Sequence, residues 1–237
     1  MFAPILFSTL FFSTKALDNG LGLTPPMGWN SWNAFRCNID EVKILSMAQI
    51  LSDELKEYGY DHCNLDDCWM SPTRTDDGSY QADPELFPSG MKSLGDKLHN
   101  LGLKFGIYTS AGTLTCEQLP GSLHHEQVDA QTFAEWGVDY LKYDNCFNEN
   151  LPGIERYMKM RDALNSTGRD IFYSLCQWGE ESIGQWAPAV GNSWRTTFDI
   201  EPRWHVIQRN FWQNQQHRSR AKPGSWCDPD MLEVGNG

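Results

Sequence analysis

The chain has 237 residues, 40% of them hydrophobic and 21% charged, with a formal net charge of −12 and 10 tryptophans. That length accommodates one large domain with a full core, and the acidic balance argues against nucleic acid or an anionic membrane surface as the partner. Neutral ligands remain, and abundant Trp suits sugars, whose apolar faces stack on aromatic rings, although Trp equally serves as core.

Met1 to Ala16 reads as a secretory signal peptide: the apolar run from Phe2 to Phe12 is too short to span a bilayer, and Ala16 offers a small residue at the cut. A buried first strand is the alternative. The domain that follows runs over 17–237. Met27 to Asn30 begins a strand-like step. Asn38 with Glu41 makes a capping-box pattern, and Val42, Leu45, Ala48, Leu51 and Leu55 follow at helical spacing up to Gly59. Tyr60 to Leu65 is the next strand, ending in Asp66-Asp67-Cys68-Trp69. Met91, Leu94, Leu98 and Leu101 mark a helix stopped by Gly102, and Lys104 to Tyr108 a third strand followed by a loop of small residues, Thr109 to Gly112. Val128 to Trp136 reads as helix and Val138 to Tyr143 as strand. Pro152 opens a helix as its first residue, with Ile154, Tyr157, Met158, Arg161 and Leu164 on it. Ile171 to Cys176, Trp194 to Phe198 and Gly224 to Trp226 are the remaining strands, with a helix over Trp204 to Asn214.

A strand followed by a helix, recurring along the chain, is the signature of a parallel sheet. Polar residues collect at the strand C-terminal ends: Asp66, Tyr108, Asp144, Gln177, Asp199 and Asp228. A (β/α)8 barrel builds its site there. A doubly wound open sheet is the alternative, but no Gly-rich phosphate loop follows the first strand.

Lys142 and Asp144 are two apart, so on a strand they point the same way, and both are costly to bury. Arg195 and Asp199 stand four apart on the sixth strand, again on one face. Two carboxylates at two strand ends, each near its own cation, point to acid/base or nucleophilic chemistry, or else to two buried ion pairs. The 7 cysteines predict disulfides in a secreted chain, with at least one thiol left over. None stands in a zinc-binding pattern. Asn165-Ser166-Thr167 is a glycosylation sequon.

Several short motifs then stand together in order: Leu17-Asp18-Asn19-Gly20, Met27-Gly28-Trp29-Asn30, Asp66-Asp67-Cys68-Trp69, Gly106-Ile107-Tyr108, Asp129-Ala130-Gln131-Thr132-Phe133, Tyr140 to Cys146, and Asp228-Pro229-Asp230-Met231-Leu232. On these the chain resembles glycoside hydrolase family 27, the α-galactosidases, and Ser31-Trp32-Asn33-Ala34-Phe35 is similar to plant and fungal members. The resemblance implies a TIM barrel with Asp144 as nucleophile and Asp199 as acid/base of a retaining double displacement, which needs carboxyls about 5–5.5 Å apart. Asp144, beside Lys142, is expected to keep a low pKa. Arg195 would bind sugar hydroxyls and steer the ionisation of Asp199. Asp66 and Asp67 would accept hydrogen bonds from sugar hydroxyls, the alternatives being a calcium site or a capping pair. Trp29 would pack on the sugar face, or serve as core, with Tyr108 and Lys142 donating nearby. Cys37 resembles the partner of Cys68, and Cys116 that of Cys146; Cys63, Cys176 and Cys227 are left unassigned.

Cys176 and Trp178 match galactose-specific members, where bulk excludes a 2-acetamido group. Gln177 departs from the usual Glu, and Cys227 from the usual Asn. α-N-acetylgalactosaminidase is the alternative within the family, and an inactive member with weak sugar binding the alternative outside catalysis. No metal or organic cofactor is expected, since both steps use carboxylates. The expected partners are galactose-containing oligosaccharides or glycoconjugates, with no nucleic acid and no membrane once the signal is removed. The family adds an eighth strand and a C-terminal β-sandwich domain, and this sequence reaches Gly237 with neither. The expected fold is therefore α/β, an incomplete (β/α)8 barrel of about seven strands.

Overall fold

The computed structural model describes residues 17–235; the signal-peptide reading lies outside them. In chain order the elements are β1 (Gly28–Asn30), α1 (Trp32–Phe35), α2 (Glu41–Ile50), β2 (His62–Asn64), α3 (Gly90–Asn100), β3 (Lys104–Ser110), α4 (Glu126–Glu135), β4 (Tyr140–Asp144), α5 (Gly153–Ser166), β5 (Phe172–Cys176), β6 (Ser193–Arg195), α6 (Trp204–Gln215) and β7 (Trp226–Asp228). All seven strands form one sheet in the order β1-β2-β3-β4-β5-β6-β7, and every neighbouring pair is parallel. Sequential parallel pairing with helical crossovers gives the curled sheet of an incomplete (β/α)8 barrel, as expected. No helix among the described residues is long and apolar enough to cross a membrane.

The strands read as apolar runs because both faces are covered. Phe105 and Ile107 of β3, Leu141 and Tyr143 of β4, and Tyr173 and Leu175 of β5 are all buried. Helix α3 contributes Met91, Leu94, Gly95 and Leu98, one stripe at helical spacing, and ends at Gly102, whose φ of 72° suits glycine. Two starts differ from expectation. Asp40, not Asn38, caps α2, accepting from the Lys43 N–H at 2.7 Å. Glu41 cannot close a capping box because it is drawn away to Ser89 and Lys97. Pro152 is the cap of α5, with ψ 130°, and not its first helical residue.

Strand bounds differ too: β2 keeps only His62–Asn64 of the expected Tyr60 to Leu65, β3 runs on to Ser110, β4 is Tyr140–Asp144 where Val138 to Tyr143 is expected, and the last two strands are also displaced. β6 stops at Arg195, short of Phe198, and β7 is Trp226–Asp228, shifted from 224–226. Register explains both. Ser193, Trp194 and Arg195 sit opposite Trp226, Cys227 and Asp228, and after one further bond, from Thr196 N to Asp228 O at 2.9 Å, the chain leaves the sheet.

The segment before β1 crosses from one side of the sheet to the other at the strands' N-terminal ends. Leu17 N donates to Pro188 O at 2.8 Å, and the Asn19 and Asn192 amides exchange bonds of 3.2 and 2.9 Å. Gly22 O accepts from Gly224 N and from Trp226 Nε1, both at 2.7 Å. A side chain at Gly22 would meet the Phe172 ring at 3.2 Å. This strap thus joins the β1 edge to the strands at the other end of the sheet.

Candidate active site

The C-terminal strand ends gather the acids and cations. Asp144 closes β4 and is 6% exposed. Its Oδ1 accepts from the Asn145 N–H at 2.9 Å, and its Oδ2 from the Tyr108 hydroxyl, also at 2.9 Å. Cys116 Sγ lies 3.5 Å from the same oxygen; bound in a disulfide, it makes a contact there and donates nothing. Burial pushes the Asp144 carboxyl above its ordinary value, although the Lys142 charge and hydrogen bonds from Asn145, Cys176 and Tyr108 pull the other way. This reverses the expected low pKa: desolvation outweighs the nearby cation.

Lys142 does share a face with Asp144, but its ion pair is with Asp66. Its Nζ lies 2.8 Å from Asp66 Oδ2, after passing over the Tyr108 ring at 5.1 Å from the centroid. Asn30 Nδ2 donates to the same Asp66 oxygen at 2.8 Å. Burial opposes the lysine's charge, but Asp66 and Asp144 outweigh it and hold the ammonium well above its usual range. Burial and the surrounding carboxylates likewise keep the Tyr108 hydroxyl protonated, as a donor to Asp144.

Asp67 is 1% exposed. Its Oδ1 accepts from Cys68 N at 2.7 Å and its Oδ2 from Glu117 N at 3.1 Å. Burial, helped by the Asp66 charge, pushes its carboxyl up to about 6. A carboxyl raised on folding adds stability that is complete below its unfolded pKa, near ~4, and is lost as pH rises through the folded value. The stability of the wild type relative to Asp67→Asn is therefore expected to fall by about 2–3 kcal/mol between pH 4 and pH 7. Urea denaturation across that window reads it, and a constant difference would show that Asp67 titrates normally.

Arg195 ends β6 and is 3% exposed. Its Nη2 reaches Asp199 Oδ1 at 3.0 Å, Thr197 O at 3.0 Å and Asp230 Oδ2 at 3.2 Å. Asp199 stands in the loop past β6 with its side chain 75% exposed, so the expected strand position is corrected while the Arg195 pairing holds. Arg195 Nη1 lies 3.5 Å from Cys176 Sγ, and Cys176 sits opposite Asp144 in the β4–β5 register. The thiol therefore bridges the Asp66–Lys142–Tyr108–Asp144 group and the Arg195–Asp199 group.

Trp29 is half-buried on β1, edge-on to Phe35 with centroids 5.8 Å apart. Trp178 follows β5, half-buried and at φ 64°. Gln177 is buried, with Nε2 3.4 Å from Glu181. Both expected disulfides are present, Cys37–Cys68 and Cys116–Cys146, each with Cα atoms 5.2 Å apart, while Cys63, Cys176 and Cys227 are free thiols. Gly112 fits the Cys146 loop so closely that a Cβ would lie 1.8 Å from the Cys146 carbonyl oxygen, so the small-residue loop after β3 clamps the chain beside Asp144. Asn165 is exposed near the end of α5, away from these strand ends. Cys116, Asp144 and Cys146 offer potential metal ligands within 4.8 Å of one another, but two of the three sulfur and oxygen donors are joined as a disulfide and are not thiolates.

Two participants stand in quoted motifs without having been assigned a role. Asn30 fixes Asp66. Asp230 accepts from Ile200 N at 2.8 Å while holding Arg195, and so links β7 to the Asp199 loop. Its place after Asp228-Pro229 was the signal the sequence offered; in the structure it stands at φ 83°, which Asp tolerates.

A curled parallel sheet with carboxylates, a half-buried lysine and a buried arginine at its C-terminal edge is the site-bearing face of a (β/α)8-type barrel. The family profile described as Melibiase_2, Alpha galactosidase A, matches residues 24–237, and the chain belongs to that family, glycoside hydrolase family 27. It is 54% identical to alpha-galactosidase 3 of Arabidopsis thaliana over 98% of this chain and 53% of the relative. It is 56% identical to the alpha-galactosidase of Coffea arabica over 93% of this chain and 59% of the relative. Among solved structures, alpha-galactosidase I of Mortierella vinacea superimposes with a TM-score of 0.88 at 44% identity, covering 93% of this chain and 62% of that one. A Saccharomyces cerevisiae α-galactosidase with raffinose gives 0.85 at 42% identity, covering 92% and 54%. The chain spans little more than half the length of the curated relatives it matches.

Proposed function

We propose that this chain carries the catalytic site of a secreted, retaining α-galactosidase that releases terminal α-linked galactose from oligosaccharides or glycoconjugates. The observation that carries the reading is Asp144: a buried carboxylate at a barrel strand end, held by Tyr108 and the Asn145 N–H, joined through Cys176 and Arg195 to the exposed Asp199. Asp144 attacks the anomeric carbon as Asp199 protonates the departing oxygen; Asp199 then takes a proton from water, which releases the sugar from Asp144. Solvent access suits Asp199, which must exchange protons in both steps. Asp66, Asp67 and Lys142 present fixed acceptors and a donor to sugar hydroxyls, and Trp29 offers a ring face. The relative solved with raffinose supports an oligosaccharide of this kind as substrate.

Turnover of an aryl α-galactoside by the full chain, with the first-formed anomer followed by NMR, tests the reading. α-Galactose is the expected first product; β-galactose would make the enzyme inverting, and no turnover would sink the activity. The N-acetylgalactosaminide of the same aryl group is expected to react at least about 100-fold more slowly in kcat/KM, because Cys176 and Trp178 occupy the space an acetamido group needs. Equal values would favour the N-acetylgalactosaminidase alternative.

A further inference from the structure

Arg156, in the first turn of α5, is 1% exposed, and no carboxylate among the described residues lies within ion-pair distance of it. An arginine buried this fully is almost always paired with an acid, and a neutral donor would cap three oxygens at less desolvation cost. Its Nε donates to Leu151 O at 3.0 Å, Nη1 to Ala111 O at 2.9 Å and Nη2 to Asn145 Oδ1 at 2.7 Å.

Two of these acceptors flank one residue. Ala111 N donates to the backbone oxygen of Asp144 at 2.8 Å, and Asn145 N donates to the Asp144 carboxylate at 2.9 Å. The guanidinium therefore holds the loop after β3 and the loop after β4 on either side of the same carboxylate. A residue serving only to anchor the chain entering α5 would need the Leu151 bond alone. The charges of Arg156 and Asp144 also share a neighbourhood, since both act on the Tyr157 phenol.

We propose that Arg156 is a positioning residue for Asp144, fixing the backbone and the N–H that aim the carboxylate at the anomeric carbon; this rests on the reading of Asp144 as the nucleophile. Its planar fork suits the task, because three acceptors in fixed directions are met by one rigid group. A shift of about 1 Å in a reacting group can cost on the order of 100-fold in rate.

The test compares wild type, Arg156→Met, Arg156→Lys and Asn145→Ala in the full chain on an aryl α-galactoside. Arg156→Met is expected to lower kcat about 10- to 100-fold with KM within about twofold. The acid limb of kcat/KM should move to higher pH by about half a unit or more, because the carboxylate loses a fixed N–H and a nearby cation. Arg156→Lys, which keeps the charge without the fork, should return the acid limb and recover only part of kcat. Asn145→Ala leaves the two carbonyl bonds of Arg156 in place and should lower kcat to a similar degree. A folded Arg156→Met with wild-type kcat and acid limb overturns the proposal; if that variant does not fold, wild-type kcat in Asn145→Ala does so. If neither variant reaches the wild-type circular dichroism spectrum, Arg156 is a folding residue and the proposal falls. A wild type without α-galactosidase activity overturns the functional reading itself, whereas an active wild type with indifferent variants overturns this proposal alone.

Discussion

Asp144→Asn is expected to lower kcat on aryl α-galactosides by roughly 10⁴-fold or more, the scale seen when a covalent nucleophile is removed. The amide fills nearly the same volume, and its oxygen can keep the Asn145 N–H while its NH2 donates to the Tyr108 hydroxyl oxygen, so binding and folding should change little while the proposed covalent intermediate cannot form. The product of azide rescue separates the two acids. In Asp144→Ala, azide enters the space left by the side chain and attacks directly, giving β-galactosyl azide. In Asp199→Ala, glycosylation of Asp144 survives with a good leaving group, and azide then opens the intermediate to give α-galactosyl azide. Exchanged anomers would exchange the two roles, and near-normal turnover by Asp144→Asn would remove Asp144 from the mechanism. The raised carboxyl adds a pH signature: the ionised form is the attacking form, so the acid limb of the wild type is expected above the ordinary carboxylate value of about 4.

Lys142→Met is expected to destabilise the fold by about 3–5 kcal/mol, the range for breaking one side of a buried ion pair. Asp66 is 2% exposed and has two side-chain donors, Lys142 and Asn30, on the same oxygen. Without the ammonium its charge is left with two neutral donors, the Asn30 amide on Oδ2 and the Asp67 N–H on Oδ1 at 3.0 Å, and no cation. For a domain of this size the loss corresponds to a melting temperature lower by roughly 10 °C. Asp66→Asn added to Lys142→Met should recover part of it, because no unpaired charge is then left behind. A single variant within about 1 kcal/mol of wild type would mean that water reaches Asp66 and replaces the lysine.

The strand ends were legible because period-two alternation alone puts Lys142 and Asp144 on one side of β4, and the Gly and Pro punctuation bounds each unit. Which acid Lys142 pairs with was not, since Asp66 arrives from β2, two strands away in the sheet. The low pKa expected for Asp144 failed for a related reason: a sequence displays neighbouring charges but not burial, and burial is the larger influence here. β6 was drawn too long because Thr196, Thr197 and Phe198 are good strand formers, whereas the register with β7 ends the pairing near Arg195. Asn38 lost the α2 cap to Asp40 once Glu41 found Lys97 and Ser89, partners from a distant helix that no local pattern contains. Asp230 and Asn30 lay inside recognisable motifs, yet their work is to hold other side chains, which becomes visible only when the strands are brought together.

The strap that runs from Leu17 to Gly22 sets a timetable for biosynthesis. Gly22 and its partner Trp226 are 204 residues apart, and Asn19 and Asn192 are 173 apart. At a translation rate of about 5–20 residues per second, roughly 10 to 40 s separate the emergence of the two ends of the Gly22 bond. During that interval the first segment has nothing to dock on, while β1 to β5 can already pair in order. Closing contacts this remote in sequence is slow, so the last event of folding would be the capture of a segment made well before its partners. A tag or extension placed directly before Leu17 would therefore interfere with the end of folding more than with its beginning.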